Sequence, residues 1–138
     1  ALGAQVGNPD RKVVSVNGDG GFLFNVRELS TMAQHRIPVV ALVFDDRACG
    51  NVRSIQQLRM GGHTSASELQ NPDWIKLAES FGVAGYRAQD PAALREVLRE
   101  ALRSEAPALI AVPMPDATDI RGFHPPEPIP PRPSLRRS

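Results

Sequence analysis

The chain has 138 residues, a length that suits one domain, and its 41% hydrophobic and 22% charged residues are the balance of a soluble globular fold with no run near the ~18 apolar residues that cross a bilayer. A formal net charge of +1, scattered arginines and only 5% aromatics exclude a nucleic-acid surface built on charge and stacking. The single cysteine, Cys49, excludes an internal disulfide framework and fits a reducing, cytoplasmic setting.

The opening Ala1-Leu2-Gly3-Ala4 has neither a basic leader nor an initiating Met and reads as the interior of a longer chain. Residues 1–7 suit the last turns of a helix ending at Gly7, with Asn8-Pro9-Asp10 as the turn after it. The β-branched stretch Lys12–Val16 predicts a strand, and Gly18-Asp19-Gly20-Gly21 a loop at its end. Residues 22–35 predict one helix with Phe22, Val26, Leu29 and Ala33 on a shared face, broken by Ile37-Pro38. The continuous apolar run Val39–Phe44 predicts a parallel strand buried on both faces. Asp45-Asp46-Arg47-Ala48-Cys49-Gly50 forms its terminal loop, followed by a short helix over 51–59 and a polar loop at 61–65.

Asn71 as cap and Pro72 at the first position predict a helix reaching Phe81. Val83–Arg87 predicts a short strand. Asp90 and Pro91 open a helix whose Leu94, Val97, Leu98, Ala101 and Leu102 recur at helical spacing, and Ala108–Val112 predicts the last strand. Alternating strands and helices argue for an α/β fold, a three-layer domain with a mostly parallel sheet, over residues 1–113. Eight of the 13 prolines fall in residues 113–138, so residues 114–138 read as an extended or disordered proline-rich tail.

In open α/β sheets ligands bind at the carboxyl ends of the strands, where both polar loops stand. The first has the makings of a phosphate cradle: glycines permit close backbone approach, and the following helix offers free N–H groups. An aspartate in such a loop would repel a bare phosphate. A divalent cation removes the conflict, because Mg²⁺ takes carboxylate and phosphate oxygens together. Asp46, 27 residues beyond Asp19, is a natural second carboxylate. His35, His63 and His124 are too dispersed for a zinc pattern. No histidine is placed to activate Cys49, which reads as a small packing residue. Glu28 reads as a structural helix residue.

The stretch GDGGFLFNVRELSTMAQHRIPVVALVFDDRACGNVR resembles the thiamine-diphosphate (ThDP) motif of the decarboxylase and carboligase family that includes acetolactate synthase and benzoylformate decarboxylase. Weaker resemblance continues through Asn71-Pro72-Asp73-Trp74, Leu77–Gly82 and Pro107–Ile110, covering roughly residues 1–113. The resemblance implies Mg²⁺ ligands at Asp19, Asp46 and the backbone carbonyl of Ala48. It implies that Gly18, the first residue of the motif, contributes to cofactor binding, that the N–H groups of Gly20, Gly21, Cys49 and Gly50 meet the diphosphate, and that Val52 approaches the cofactor or substrate. Asp45-Asp46 departs from the family's common Asn-Asn; the extra charge should make diphosphate binding more metal-dependent, or Asp45 accepts backbone hydrogen bonds that pin the loop.

The family's cofactor is activated by a glutamate of a separate pyrimidine-binding domain, usually on a second subunit, and its diphosphate domain begins with an earlier strand and glycine-rich segment. The resemblance therefore implies an incomplete ThDP diphosphate-binding domain. By the same resemblance it would belong to a homo-oligomeric 2-keto acid decarboxylase or carboligase and be inactive alone, and the faces of Val13–Val16 and Val39–Phe44 are expected to be partly uncovered. The alternative is a non-catalytic binding or scaffold module of the same fold. A phospho-acceptor receiver domain fits poorly, since neither lysine, Lys12 or Lys76, ends a late strand.

Overall fold

A computed structural model describes residues 1–114. The expected proline-rich tail lies, beyond Met114, outside the described residues. Four strands, β1 (Val14–Gly18), β2 (Val40–Asp45), β3 (Ala84–Arg87) and β4 (Ala108–Pro113), form one sheet in the order β1-β2-β4-β3. All three pairings are parallel. Among the described residues the helices are α1 (Leu2–Gly7), α2 (Asp19–Leu23), α3 (Glu28–Gln34), α4 (Gly50–Arg59), α5 (Trp74–Ser80) and α6 (Pro91–Arg103).

The two central strands, β2 and β4, are apolar throughout their buried stretches because helices cover both their faces. Val39, Ala41, Val43, Leu109 and Ala111 pack against Phe22, Leu29, Met32, Trp74 and Ala78 on one face. On the other, Val40, Leu42, Ala108 and Ile110 pack against Ala101 and the apolar stripe of α6. That helix begins as its sequence dictates: the Asp90 carboxylate accepts from Ala93 N, and Pro91 occupies the first turn. Gly85 lets β3 lie close to α5, for a Cβ there would stand 3.0 Å from the Ile75 Cα and carbonyl oxygen.

Four local expectations are corrected. β1 starts two residues late, at Val14, because its parallel pairing with β2 begins at Val14↔Val40, while Lys12 Nζ donates instead to Ser104 O and Glu105 Oε1. The Gly18–Gly21 segment is not an open loop; Gly18 ends β1 and Asp19 already begins α2. The single helix expected over 22–35 is two, because Asn25, Glu28, Leu29 and Ser30 donate to carbonyls three residues back and tighten the intervening turns. α5 starts at Trp74 with Asp73 as its cap, accepting from Ile75 N and Lys76 N, rather than at Pro72 with Asn71 as cap.

Of the faces expected to be bare, β2 is covered over Val39 to Val43, which are buried, and half-buried at Phe44 and Asp45. β1 is not: Val14 is 36% and Val16 67% exposed, since α6 reaches only the other strands of that face. Among the described residues no helix is long and apolar enough to cross a membrane.

Candidate functional site

Adjacent parallel strands end side by side, so the register Gly18↔Phe44 delivers the two acidic turns to one edge of the sheet. Gly18, Asp19, Gly20, Gly21, Asp46, Ala48, Cys49, Gly50 and Val52, the nine residues singled out from the sequence, all line one open pocket of about 440 Å³. Phe24, Phe44, Asn51 and Met114 complete its wall. Close approach is built in at two glycines. A Cβ on Gly20 would stand 3.1 Å from Leu69 Cδ1 and 3.4 Å from Cys49 Sγ, and one on Gly50 would stand 2.5 Å from Asp46 Oδ2.

Asp19 is almost wholly buried, 1% exposed. Its Oδ1 accepts from Gly20 N at 2.7 Å and its Oδ2 from Asn71 Nδ2 at 2.5 Å. Asp46 is partly exposed; its Oδ1 accepts from Ala48 N at 3.3 Å and its Oδ2 faces Arg53 Nη2 at 3.7 Å. Burial first, and then the neighbouring Asp19 charge, push the Asp46 carboxyl above its ordinary range, although the Ala48 N–H and Arg53 oppose the rise. The two carboxylates are thus near enough to repel each other. Arg53 is held on its other side by Glu68 at 3.4 Å.

The loop after β2 is stapled by a segment well downstream. Cys49 N donates to Ser67 O and Leu69 N to Arg47 O, both at 2.8 Å, around an antiparallel bridge of Ala48 with Glu68. Arg47 and Ala66 both have φ of 55°, a left-handed conformation unfavourable for side chains with a Cβ, which these cross-links hold in place. Cys49 N and Gly20 N therefore have internal acceptors. Gly21 and Gly50 remain as first-turn residues of their helices, whose N–H groups have no intrahelical acceptor.

Asp45 stands apart from the pocket lining. Its Oδ1 accepts from Asn71 Nδ2 at 2.7 Å and Arg47 N at 3.2 Å, and its Oδ2 from Trp74 Nε1 at 2.8 Å. Of the two readings of Asp45 left open by the sequence, loop pinning through backbone hydrogen bonds matches the Arg47 N contact, whereas the other two donors are side chains. Asn71, Trp74 and Arg53 are the participants that sequence reasoning missed. The only signal for Asn71 was the weak Asn-Pro-Asp-Trp resemblance, which also suited a helix cap. Among the described residues no group of three or more His, Cys, Asp or Glu side chains could hold a metal ion. The set offered by this pocket is two carboxylates and a backbone carbonyl, with two crowded negative charges and glycine on either side. That donor set fits a hard, oxygen-seeking cation that keeps other oxygen ligands of its own.

A parallel α/β sheet with paired acidic, glycine-bearing turns at the carboxyl ends of adjacent strands defines a cofactor-domain architecture. Residues 1–112 match the family described as "Thiamine pyrophosphate enzyme, C-terminal TPP binding domain", and the chain belongs to that family. It is 44% identical over 114 residues to acetolactate synthase of Bacillus subtilis (strain 168), covering 83% of this chain and 20% of that protein. It is 42% identical over 111 residues to a probable acetolactate synthase large subunit of Methanococcus aeolicus, covering 80% and 18%. Among solved structures, a thiamine diphosphate-dependent 4-hydroxybenzoylformate decarboxylase of Rhodococcus jostii RHA1 superposes with a TM-score of 0.78 at 29% identity, over 85% of this chain and 23% of that one. The chain spans about a fifth of the length of the curated relatives it matches.

Proposed function

We propose that this chain is the part of an acetolactate synthase-like, ThDP-dependent 2-keto acid decarboxylase or carboligase that holds Mg²⁺ and the cofactor's diphosphate. One observation carries the reading: the pocket that gathers all nine residues sets Asp19 and Asp46 close enough for one charge to raise the other's pKa. Two carboxylates so placed, with Arg53 3.7 Å from one of them, would be neutralised by a divalent cation that also accepts phosphate oxygens. Asp19, Asp46 and the carbonyl of Ala48 would hold the metal. The N–H groups of Gly21 and Gly50 are the better-placed diphosphate donors, since those of Gly20 and Cys49 are engaged internally. Val52, 48% exposed on α4 and lining the pocket, would face the rest of the cofactor or the substrate.

When bound, ThDP supplies the carbanion chemistry; the residues here position and neutralise its charged end. The pyrimidine-binding domain would come from elsewhere in the chain or from a second subunit of a cytoplasmic homo-oligomer, and this stretch alone would not turn over a 2-keto acid. The uncovered Val14 and Val16 support such a neighbour. Isothermal titration of ThDP into the intact enzyme, with and without Mg²⁺, tests the assignment. Asp19→Ala and Asp46→Ala should each abolish the Mg²⁺-dependent part of the affinity. Retention of that part by both variants sinks the reading.

A further inference from the structure

Asn71 belongs to neither acidic turn, yet its side chain joins them. We propose that Asn71 is a positioning residue for the metal site: by bridging Asp19 to Asp45 it fixes how the Asp19 carboxylate is presented, and so sets the enzyme's Mg²⁺ affinity. The inference rests on the metal reading above and adds a residue that reading does not contain.

The geometry is specific. Asn71 Nδ2 lies 2.5 Å from Asp19 Oδ2 and 2.7 Å from Asp45 Oδ1, so both its protons are spent on carboxylates 52 and 26 residues away. The opposite amide orientation would set Oδ1 against two anionic oxygens, so the chemistry fixes the assignment. Asp19 is then gripped from both sides, by Gly20 N on Oδ1 and by Asn71 on Oδ2. Each oxygen keeps a second lone pair for a ligand, but the carboxylate plane cannot turn. Asp45 in turn is tied by its Oδ2 to the indole N–H of Trp74, which is 1% exposed in the core. A continuous line of charge-assisted hydrogen bonds therefore runs from the packed interior through Asp45 and Asn71 to the ligand carboxylate.

Asn71 Oδ1 is a buried acceptor that meets no donor among the described residues. If Asn71 merely sewed the loop after β2 to α5, its loss would lower stability and leave metal affinity alone. If it aims Asp19, metal affinity moves, because partners that orient metal ligands typically account for about 10- to 100-fold in affinity.

The test uses the full-length enzyme. Mg²⁺ is titrated at saturating ThDP, by calorimetry, for the parent, Asn71→Ala, Asp73→Ala and Asp19→Ala, with melting temperatures measured alongside. Asp73→Ala removes the cap of α5 without touching the carboxylates and controls for local loosening. Asn71→Ala should raise the Mg²⁺ concentration for half-saturation by about 10-fold or more, while Asp73→Ala lowers the melting temperature and leaves half-saturation within about twofold. Asn71→Ala within about twofold of the parent, when Asp19→Ala has lost Mg²⁺ binding, overturns the role of Asn71 alone. Unchanged Mg²⁺ binding in Asp19→Ala instead overturns the metal reading beneath it. Should Asn71→Ala not fold, Asn71→Ser, which keeps one donor for two acceptors, decides in its place: a displacement of about fivefold supports the role and an unchanged value refutes it.

Discussion

Replacing Asp45 by Asn is nearly isosteric, yet it should destabilise the domain. The carboxylate serves three donors: Asn71 Nδ2 and Arg47 N on one oxygen, Trp74 Nε1 on the other. An amide has one acceptor oxygen, so one side must face its NH₂ group. With the oxygen toward Asn71, the Trp74 indole N–H loses its acceptor at a position 1% exposed, out of water's reach. An orphaned buried donor costs about 1–3 kcal/mol, and exchanging a charged acceptor for a neutral one on the other side costs about 1 kcal/mol more. Thinning the cluster of aspartates returns under about 1 kcal/mol in a partly exposed site. The net is about 1–4 kcal/mol, a large share of a typical domain's 5–15 kcal/mol. Urea unfolding followed by the fluorescence of Trp74, the single tryptophan of these 138 residues, measures it directly. An Asp45→Asn variant within about 0.5 kcal/mol of the parent would refute the three-donor argument.

Asp46→Asn should act differently, since its carboxyl is raised from 3.8 by burial and by Asp19. The folded state holds this proton more tightly than the unfolded chain. The resulting stabilisation is complete below pH 3.8, is lost as pH rises through the raised value, and leaves the ionised group opposing the metal-free fold. Removing it should flatten the decline of urea midpoints across mildly acidic pH in EDTA, by less than about 1 kcal/mol given solvent screening; a steeper decline contradicts the repulsion. Gly85→Ala should cost about 1–3 kcal/mol in the same assay, because its Cβ would meet Ile75 backbone atoms at 3.0 Å and those cannot rotate away. Asp90→Ala should cost about 1 kcal/mol through the lost cap of α6, and equality with the parent would show that the cap is not holding that turn.

Much of the fold was legible because local chemistry and tertiary demand agree. Asp90, Pro91 and the leucines after them cap, start and bury α6 in the same frame, and Val39 to Phe44 could hardly be anything but a covered strand. Both acidic turns were legible for a related reason: strand ends and glycines fix where the backbone is exposed. The failures share one cause. Asn71 looks like a helix cap until two carboxylates, remote in sequence, take both of its protons. Asp73 then caps α5 two residues later. The apolar spacing from Phe22 to Ala33 cannot report that the backbone between tightens to bonds three residues long. The sequence predicts the exposure of Val14 and Val16, but only the strand order shows that α6 stops short of β1 while β2 is covered as far as Val43.

β1 also bears on how the polypeptide would behave as a material. Among the described residues it has one hydrogen-bonded neighbour, β2, and its Val14 and Val16 are exposed. Such a margin recruits further strands indiscriminately. Concentrated preparations of these residues by themselves should therefore turn cloudy through added strands while their helices remain formed. Colloidal behaviour would then limit their handling before unfolding did.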